Sequence, residues 1–250
     1  MINIYKTQRE LIVSMTWHFI KIVNAAIDTR GAVNVTLAGG SSPKKLYGLL
    51  VTDEYKKQVD WSKNKNSLET NAMFLRMMPK VFRSCSKKLC SIRKKYLLHK
   101  YLKLIQNLRL MKPQKKYNET IVAHVKQMPV RFDFMLLGLG DNAHAASLIP
   151  YATVLAETSA TVEAIFLKEQ NSYRITMTAP LINQSRQIAF LVYRKEKAEA
   201  VNQVLKDALD AEKYPGQSIH STDGELQWFL DDDAASLLNN DPINYLNKSL

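Results

Sequence analysis

Cysteine is almost missing from this chain. Cys85 and Cys90 are the whole complement, too few for a disulfide framework, and no second pair or histidine cluster stands near them at zinc-ligand spacing. Neither a redox nor a metal role falls to them. Also missing is an N-terminal basic region followed by an apolar run and a small-residue cleavage site, and no apolar stretch reaches the roughly 18 residues of a membrane-spanning helix. The expectation is a soluble cytoplasmic protein with no membrane partner. The third absence is of one charge sign in one place: no Asp or Glu lies between Glu69 and Glu119. That stretch holds 14 of the 35 Lys and Arg, leaving 21 basic residues against 23 acidic ones elsewhere. The net charge of +12 therefore belongs to one segment and not to a basic surface spread over a domain, which argues against a nucleic-acid partner.

What is present is enough for a sizeable core, with 46% hydrophobic residues in 250. Leu11, Ile12, Met15, Phe19, Ile22, Val23 and Ala26 recur at spacings of three and four, the stripe of an amphipathic helix over 9–28 that packs on a sheet. Val33 to Ala38 is a β-rich run that ends in Gly39-Gly40-Ser41-Ser42-Pro43. Leu46, Leu49 and Leu50 then follow as a helix with the proline in its first turn. A second unit starts at Phe132. Phe134 to Leu137 is apolar throughout, as in a buried parallel strand, before Gly138-Leu139-Gly140 breaks it. Further strands are expected at Val162 to Leu167, Ile188 to Tyr193 and Leu226 to Leu230, with a helix from Lys195 to Ala211. Alternating strands and helices imply an α/β fold, a doubly wound and mostly parallel sheet with helices on both faces. A single domain is expected over 1–250, interrupted by an aberrant basic segment at about 66–115 and followed by a polar tail from about 232.

Two loops carry candidate chemistry. A glycine pair between strand and helix lets the backbone approach an anion closely, which makes Gly39, Gly40 and Ser41 a candidate phosphate cradle. The sequence is neither a Walker loop nor a dinucleotide fingerprint, and glycine can serve turn geometry alone. The second loop, Gly138 to Pro150, places Asp141, Asn142 and His144 at the C-terminal end of a central strand, where open α/β sheets bind ligands. A histidine titrating near neutrality can take a proton from water and return it to a leaving alkoxide, although a loop histidine can equally be a structural hydrogen-bonding group.

Together these loops resemble those of the 6-phosphogluconolactonases in the glucosamine/galactosamine-6-phosphate isomerase superfamily. Val35 to Pro43 is similar to the family's phosphate loop, and Gly138 to Pro150 to its histidine signature. Arg174-Ile175-Thr176-Met177-Thr178, Lys195 to Ala200, Tyr214-Pro215-Gly216-Gln217 and Gly224 to Asp231 resemble further blocks in the right order. The resemblance covers roughly 1–65 and 116–235. It implies hydrolysis of 6-phospho-D-glucono-1,5-lactone without metal or organic cofactor, on a small-molecule substrate, by a monomer or weak dimer. It further implies His144 as general base, Arg174 as a phosphate ligand and Lys197 as a second cationic contact; the plainer reading of a solvated surface charge is preferred for Lys197 and not for Arg174. Asn142-Ala143 replaces the family's usual Asp-Gly, so position 142 can orient a group but cannot carry charge. A sugar-phosphate isomerase or deaminase is the alternative, but its histidine is followed by a different ending and its acidic base lies in a region without carboxylates here. An inactive remnant or a basic binding protein is the third reading.

The family pattern fails between about Asn64 and Lys115, where a strand, Gly-Asp-Glu-Arg and a Val-Pro turn are expected. An inserted nucleic-acid arm and a solvated basic helix around Leu97 to Leu110 are two readings of this run. A third fits the lettering better. Read one nucleotide earlier, the codons of Leu68 to Pro79 permit Gly-Asp-Glu-Arg-Tyr-Val-Pro-Gln-Asp-Asp-Ala. The Val is forced by Met73-Phe74, the last of the three Asp by Met77-Met78 and the Ala by Met78-Pro79. The segment is therefore expected to be a frameshift product, with the frame restored near Lys115.

Overall fold

The computed structural model of the chain describes residues 1–39, 41–60, 64–69, 131–167 and 172–238. The candidate residue Gly40 and nearly all of the basic segment lie outside the described residues.

Strand β1 (Ile2–Tyr5) leads into helix α1 (Gln8–Arg30). A reciprocal cap starts the helix: Glu10 N–H donates to Thr7 Oγ1 and Thr7 N–H to the Glu10 carboxylate, both at 3.2 Å. Gly31 ends it at φ 67, a left-handed position that glycine takes without penalty. Then come β2 (Val33–Leu37), α2 (Lys44–Leu50), α3 (Asp53–Lys56) and β3 (Asn64–Glu69). After the basic segment follow β4 (Phe134–Leu137), β5 (Val162–Leu167), β6 (Ser172–Met177), α4 (Ala179–Asn183), β7 (Gln187–Val192), α5 (Ala198–Leu205) and β8 (Glu225–Asp231).

Six of these strands form one sheet in the order β1-β8-β7-β4-β2-β3, every neighbouring pair parallel. Both faces are covered, as the apolar strands require. Phe134 and Leu136 point to the side of α1 and α2 with Val33, Val35 and Leu37, while Met135 and Leu137 point to the opposite core with Phe190, Ala200 and Val201. Each fully buried side chain of this size contributes about 1.5–3 kcal/mol. At the N-terminal edge of the strands the buried Asp133 accepts from Asn34 N–H at 2.8 Å and pairs with Arg30 at 2.8 Å and Arg186 at 3.4 Å. That cluster ties β2, β4, α1 and the approach to β7 together at the end remote from the candidate loops.

Several expectations need correction. Val162 to Leu167 is a strand, but it pairs antiparallel with β6 in a separate two-stranded unit outside the main sheet. The helix expected to run to Ala211 stops at Leu205, because the Gln217 side chain accepts from Asp210 N–H at 2.7 Å and donates to the Gln203 carbonyl at 2.8 Å, pinning the chain in turns. The stretch from 232, expected to be a polar tail, turns back on the core through Leu238: Asp231 accepts from Ala234 N–H, and Ala234, Ala235 and Leu238 are buried. A strand is present at the start of the aberrant region, since β3 pairs with β2. Finally, α1 is long and apolar enough to cross a membrane by length and composition. Its Leu11, Ile12, Met15, Phe19, Ile20 and Val23 nevertheless pack on the sheet, as in the core helix of a globular protein.

Candidate active site

The winding of the sheet selects where a ligand can enter. From β2 the chain moves outward to β3, then returns to the other side of β2 as β4 and continues outward to β7 and β8. The loops after β2 and β4 therefore diverge at the carboxyl ends of adjacent strands, leaving a crevice at the switch point. These are the loops that hold Gly39 to Pro43 and Gly138 to Pro150.

The β4 loop is held as a compact series of turns. Gly140 N–H donates to the His144 carbonyl at 2.8 Å, Ala143 N–H to the Gly140 carbonyl at 3.0 Å and Leu148 N–H to the Ala145 carbonyl at 3.0 Å. Ala143 and Ala146 take left-handed φ of 58 and 54, which L-residues adopt only under constraint. The constraint comes from outside the loop: Gly216 N–H donates to the Ala143 carbonyl at 2.7 Å, and Ser147 N–H to Thr176 Oγ1 at 3.1 Å. Through Thr176 the loop is joined to β6, the strand that carries Arg174.

Inside this frame His144 is half-buried, and its Nδ1 is hydrogen-bonded to Asn142 Oδ1. An amide oxygen can only accept, so Nδ1 carries the proton and Nε2 keeps its lone pair. Burial, then the nearby Lys197 ammonium and Arg174 guanidinium, hold the imidazole pKa below its ordinary value, with Asp141 acting weakly the other way. The ring is thus neutral at physiological pH and able to accept a proton. Lys197 is not a solvated charge: its ammonium donates to the Leu139 carbonyl at 2.7 Å and to the exposed Asp141 carboxylate at 2.5 Å. Asp141, expected to face substrate, has this lysine as its partner. On the β2 side, Gly39 is half-buried and Ser41 exposed, and the Ser42 carbonyl accepts from the Tyr193 hydroxyl at 2.7 Å, tying the loop to the end of β7.

The structure brings His144, Asn142, Asp141, Lys197 and Arg174 to one place, and Gly39 and Ser41 follow β2, the strand that neighbours β4. Three contributors escaped the sequence reading. Thr176 and Tyr193 act through tertiary contacts that no local pattern announces. Gly140 supplies space, because a Cβ there would lie 2.8 Å from His144 Cγ and closer still to Cε1 and Nδ1. A parallel sheet with a tethered histidine at its switch point defines an α/β fold with a proton acceptor at its ligand-binding edge.

A family model described as glucosamine-6-phosphate isomerases/6-phosphogluconolactonase matches residues 6–228. The chain belongs to that family. It is 27% identical over 213 residues to a 6-phosphogluconolactonase of Aggregatibacter actinomycetemcomitans, covering 82% of this chain and 87% of that one. The corresponding protein of Haemophilus influenzae is 28% identical over 218 residues, with 82% and 88% covered. Among solved structures, 6-phosphogluconolactonase from Trypanosoma cruzi superposes with a TM-score of 0.74 at 19% identity over 95% of this chain and 96% of that one, a likeness of fold.

Proposed function

We propose that this chain hydrolyses 6-phospho-D-glucono-1,5-lactone to 6-phospho-D-gluconate. The observation that carries the reading is the neutral His144 with its Nδ1 engaged by Asn142, at the carboxyl end of β4 and under the charge of Arg174. Nε2 takes a proton from water as the water oxygen bonds to the lactone carbonyl carbon. The tetrahedral oxyanion then collapses, the bond from that carbon to the ring oxygen breaks, and the imidazolium returns its proton to the departing ring oxygen. Arg174 and the turn at Gly39, Gly40 and Ser41 hold the phosphate, so the carbonyl meets the water in a fixed orientation. Lys197 keeps Asp141 and the Leu139 carbonyl in place and adds positive potential where the oxyanion forms. Hydrolysis of freshly generated lactone, measured against its spontaneous rate, tests the assignment; a rate equal to the spontaneous one overturns it.

Arg174→Ala is expected to raise KM for the phosphorylated lactone by about ten- to a hundredfold, the worth of a charge-assisted hydrogen bond, and to leave an unphosphorylated lactone almost unaffected. Equal losses on both substrates would assign Arg174 a structural role.

The basic segment bears on how active this chain is. We propose that it arises by translation out of frame, and the coding DNA between the codons of Leu68 and Pro79 is expected to spell Gly-Asp-Glu-Arg one nucleotide earlier. Restoring those residues then raises lactonase activity. Codons incompatible with Gly-Asp-Glu would make the segment a true insertion.

A further inference from the structure

Arg194, the first residue after β7, has φ 83 and ψ 153, a region of backbone space open essentially to glycine alone. The turn itself does not call for an arginine. Its hydrogen bonds are all made by the main chain: Arg194 N–H donates to both Asp231 carboxylate oxygens at 3.0 and 3.1 Å, and its carbonyl accepts from Lys197 N–H at 3.0 Å. Glycine would make the same bonds without strain. A long cationic side chain on such a backbone costs stability, so its use must be sought beyond the turn.

The side chain is exposed and makes no ion pair among the described residues; its guanidinium carbon lies 5.3 Å from the centroid of the Tyr193 ring. The same ring sends its hydroxyl to the Ser42 carbonyl in the β2 loop, at 2.7 Å. Three residues further on, Lys197 reaches the β4 loop through Asp141 and Leu139. The turn after β7 therefore anchors both loops of the crevice, and Arg194 lies against the ring whose hydroxyl holds the glycine loop. Stacked on an aromatic face, a guanidinium loses little freedom when it binds an anion, and its planar fork matches phosphate.

We propose that Arg194 is a second phosphate-binding guanidinium at this site, set to select phosphorylated over unphosphorylated substrates; this rests on the lactonase reading for the nature of the substrate. The test compares wild type, Arg194→Gly and Arg194→Lys by thermal melting and by calorimetric titration with inorganic phosphate, 6-phosphogluconate and gluconate. Arg194→Gly is expected to melt a few degrees higher, because the left-handed strain is gone, yet to bind phosphate and 6-phosphogluconate about tenfold more weakly with gluconate binding unchanged. Arg194→Lys is expected to keep part of the phosphate affinity and show no gain in melting temperature. Arg194→Gly with undiminished phosphate affinity overturns the proposal, as does a wild-type chain that binds neither phosphate nor 6-phosphogluconate. Lactone turnover with the same KM in wild type and Arg194→Gly removes Arg194 and leaves the lactonase reading intact. Phosphate affinity that falls in Arg194→Gly, in a chain that does not hydrolyse the lactone, keeps Arg194 and removes that reading.

Discussion

Adding a single methyl group at Gly140 is expected to cost as much lactonase activity as deleting the His144 side chain. The Cβ of an alanine at 140 would occupy the space of the imidazole, 2.8 Å from Cγ and closer to Cε1 and Nδ1. The ring is also tethered to Asn142, so it cannot move aside without giving up the bond that fixes its tautomer. Removing a positioned general base costs roughly 10²–10⁴-fold in rate. Gly140→Ala and His144→Ala should both fall in that range with the fold preserved, since the loop lies at the sheet's carboxyl edge. Gly138 provides the control: a Cβ there meets nothing within 4 Å, so Gly138→Ala should retain activity. Initial rates and circular dichroism of the three variants decide the matter. Full activity in Gly140→Ala would mean that the ring position is irrelevant to turnover.

A second large effect is expected in acid. His18, on α1, lies between Phe134 and Phe229 with ring centroids 6.1 and 5.0 Å away, and its Nε2 is buried without a hydrogen-bond partner among the described residues. Burial pushes its pKa down to about 4; Glu225 opposes the shift and Lys21 adds to it. Above the ordinary histidine value near 6.5 the ring is neutral in both folded and unfolded chains, and no pH dependence arises from it. Between 6.5 and about 4 only the unfolded chain takes up the proton, so stability falls with pH, and below 4 the effect levels off. The full loss is on the order of 3 kcal/mol. Urea unfolding at pH 7.5, 5.5 and 4 should show His18→Leu losing less stability than wild type over that interval. Parallel curves for the two proteins would place the acid sensitivity elsewhere.

Much of the fold was legible because its signals are local. The three- and four-residue spacing from Leu11 to Ala26 marked α1, and the cap at Thr7 and Glu10 with Gly31 extends it to Gln8–Arg30. The unbroken apolar run of β4 announced a strand buried on both faces. Four-residue β1 escaped, since Ile2-Asn3-Ile4-Tyr5 is too short to show a period and is held by β8 at the far end of the sequence. The same limit explains β5: its composition marks a strand, but only its pairing with β6 reveals that it stands apart from the sheet. In the site, residue types in the two loops pointed to the crevice. The pairings of Asn142 with His144 and of Lys197 with Asp141 belong to a loop that turns through left-handed Ala143 and Ala146, which nothing in a string of small residues foretells.

The place of β1 in the sheet has a temporal consequence. Ile2 is registered with Trp228 and Tyr5 with Asp231, so among the described strands β1 has no partner until β8 has been synthesised. At translation rates of roughly 5–20 residues per second, the N-terminal strand waits on the order of 10–45 s for its ladder to form. During that interval α1 can settle on β2 and β4, while the sheet's final edge remains open at β7. Closure of this ladder thus trails the synthesis of everything between the two strands, and β1, though made well before β8, is among the last of the described strands to become native.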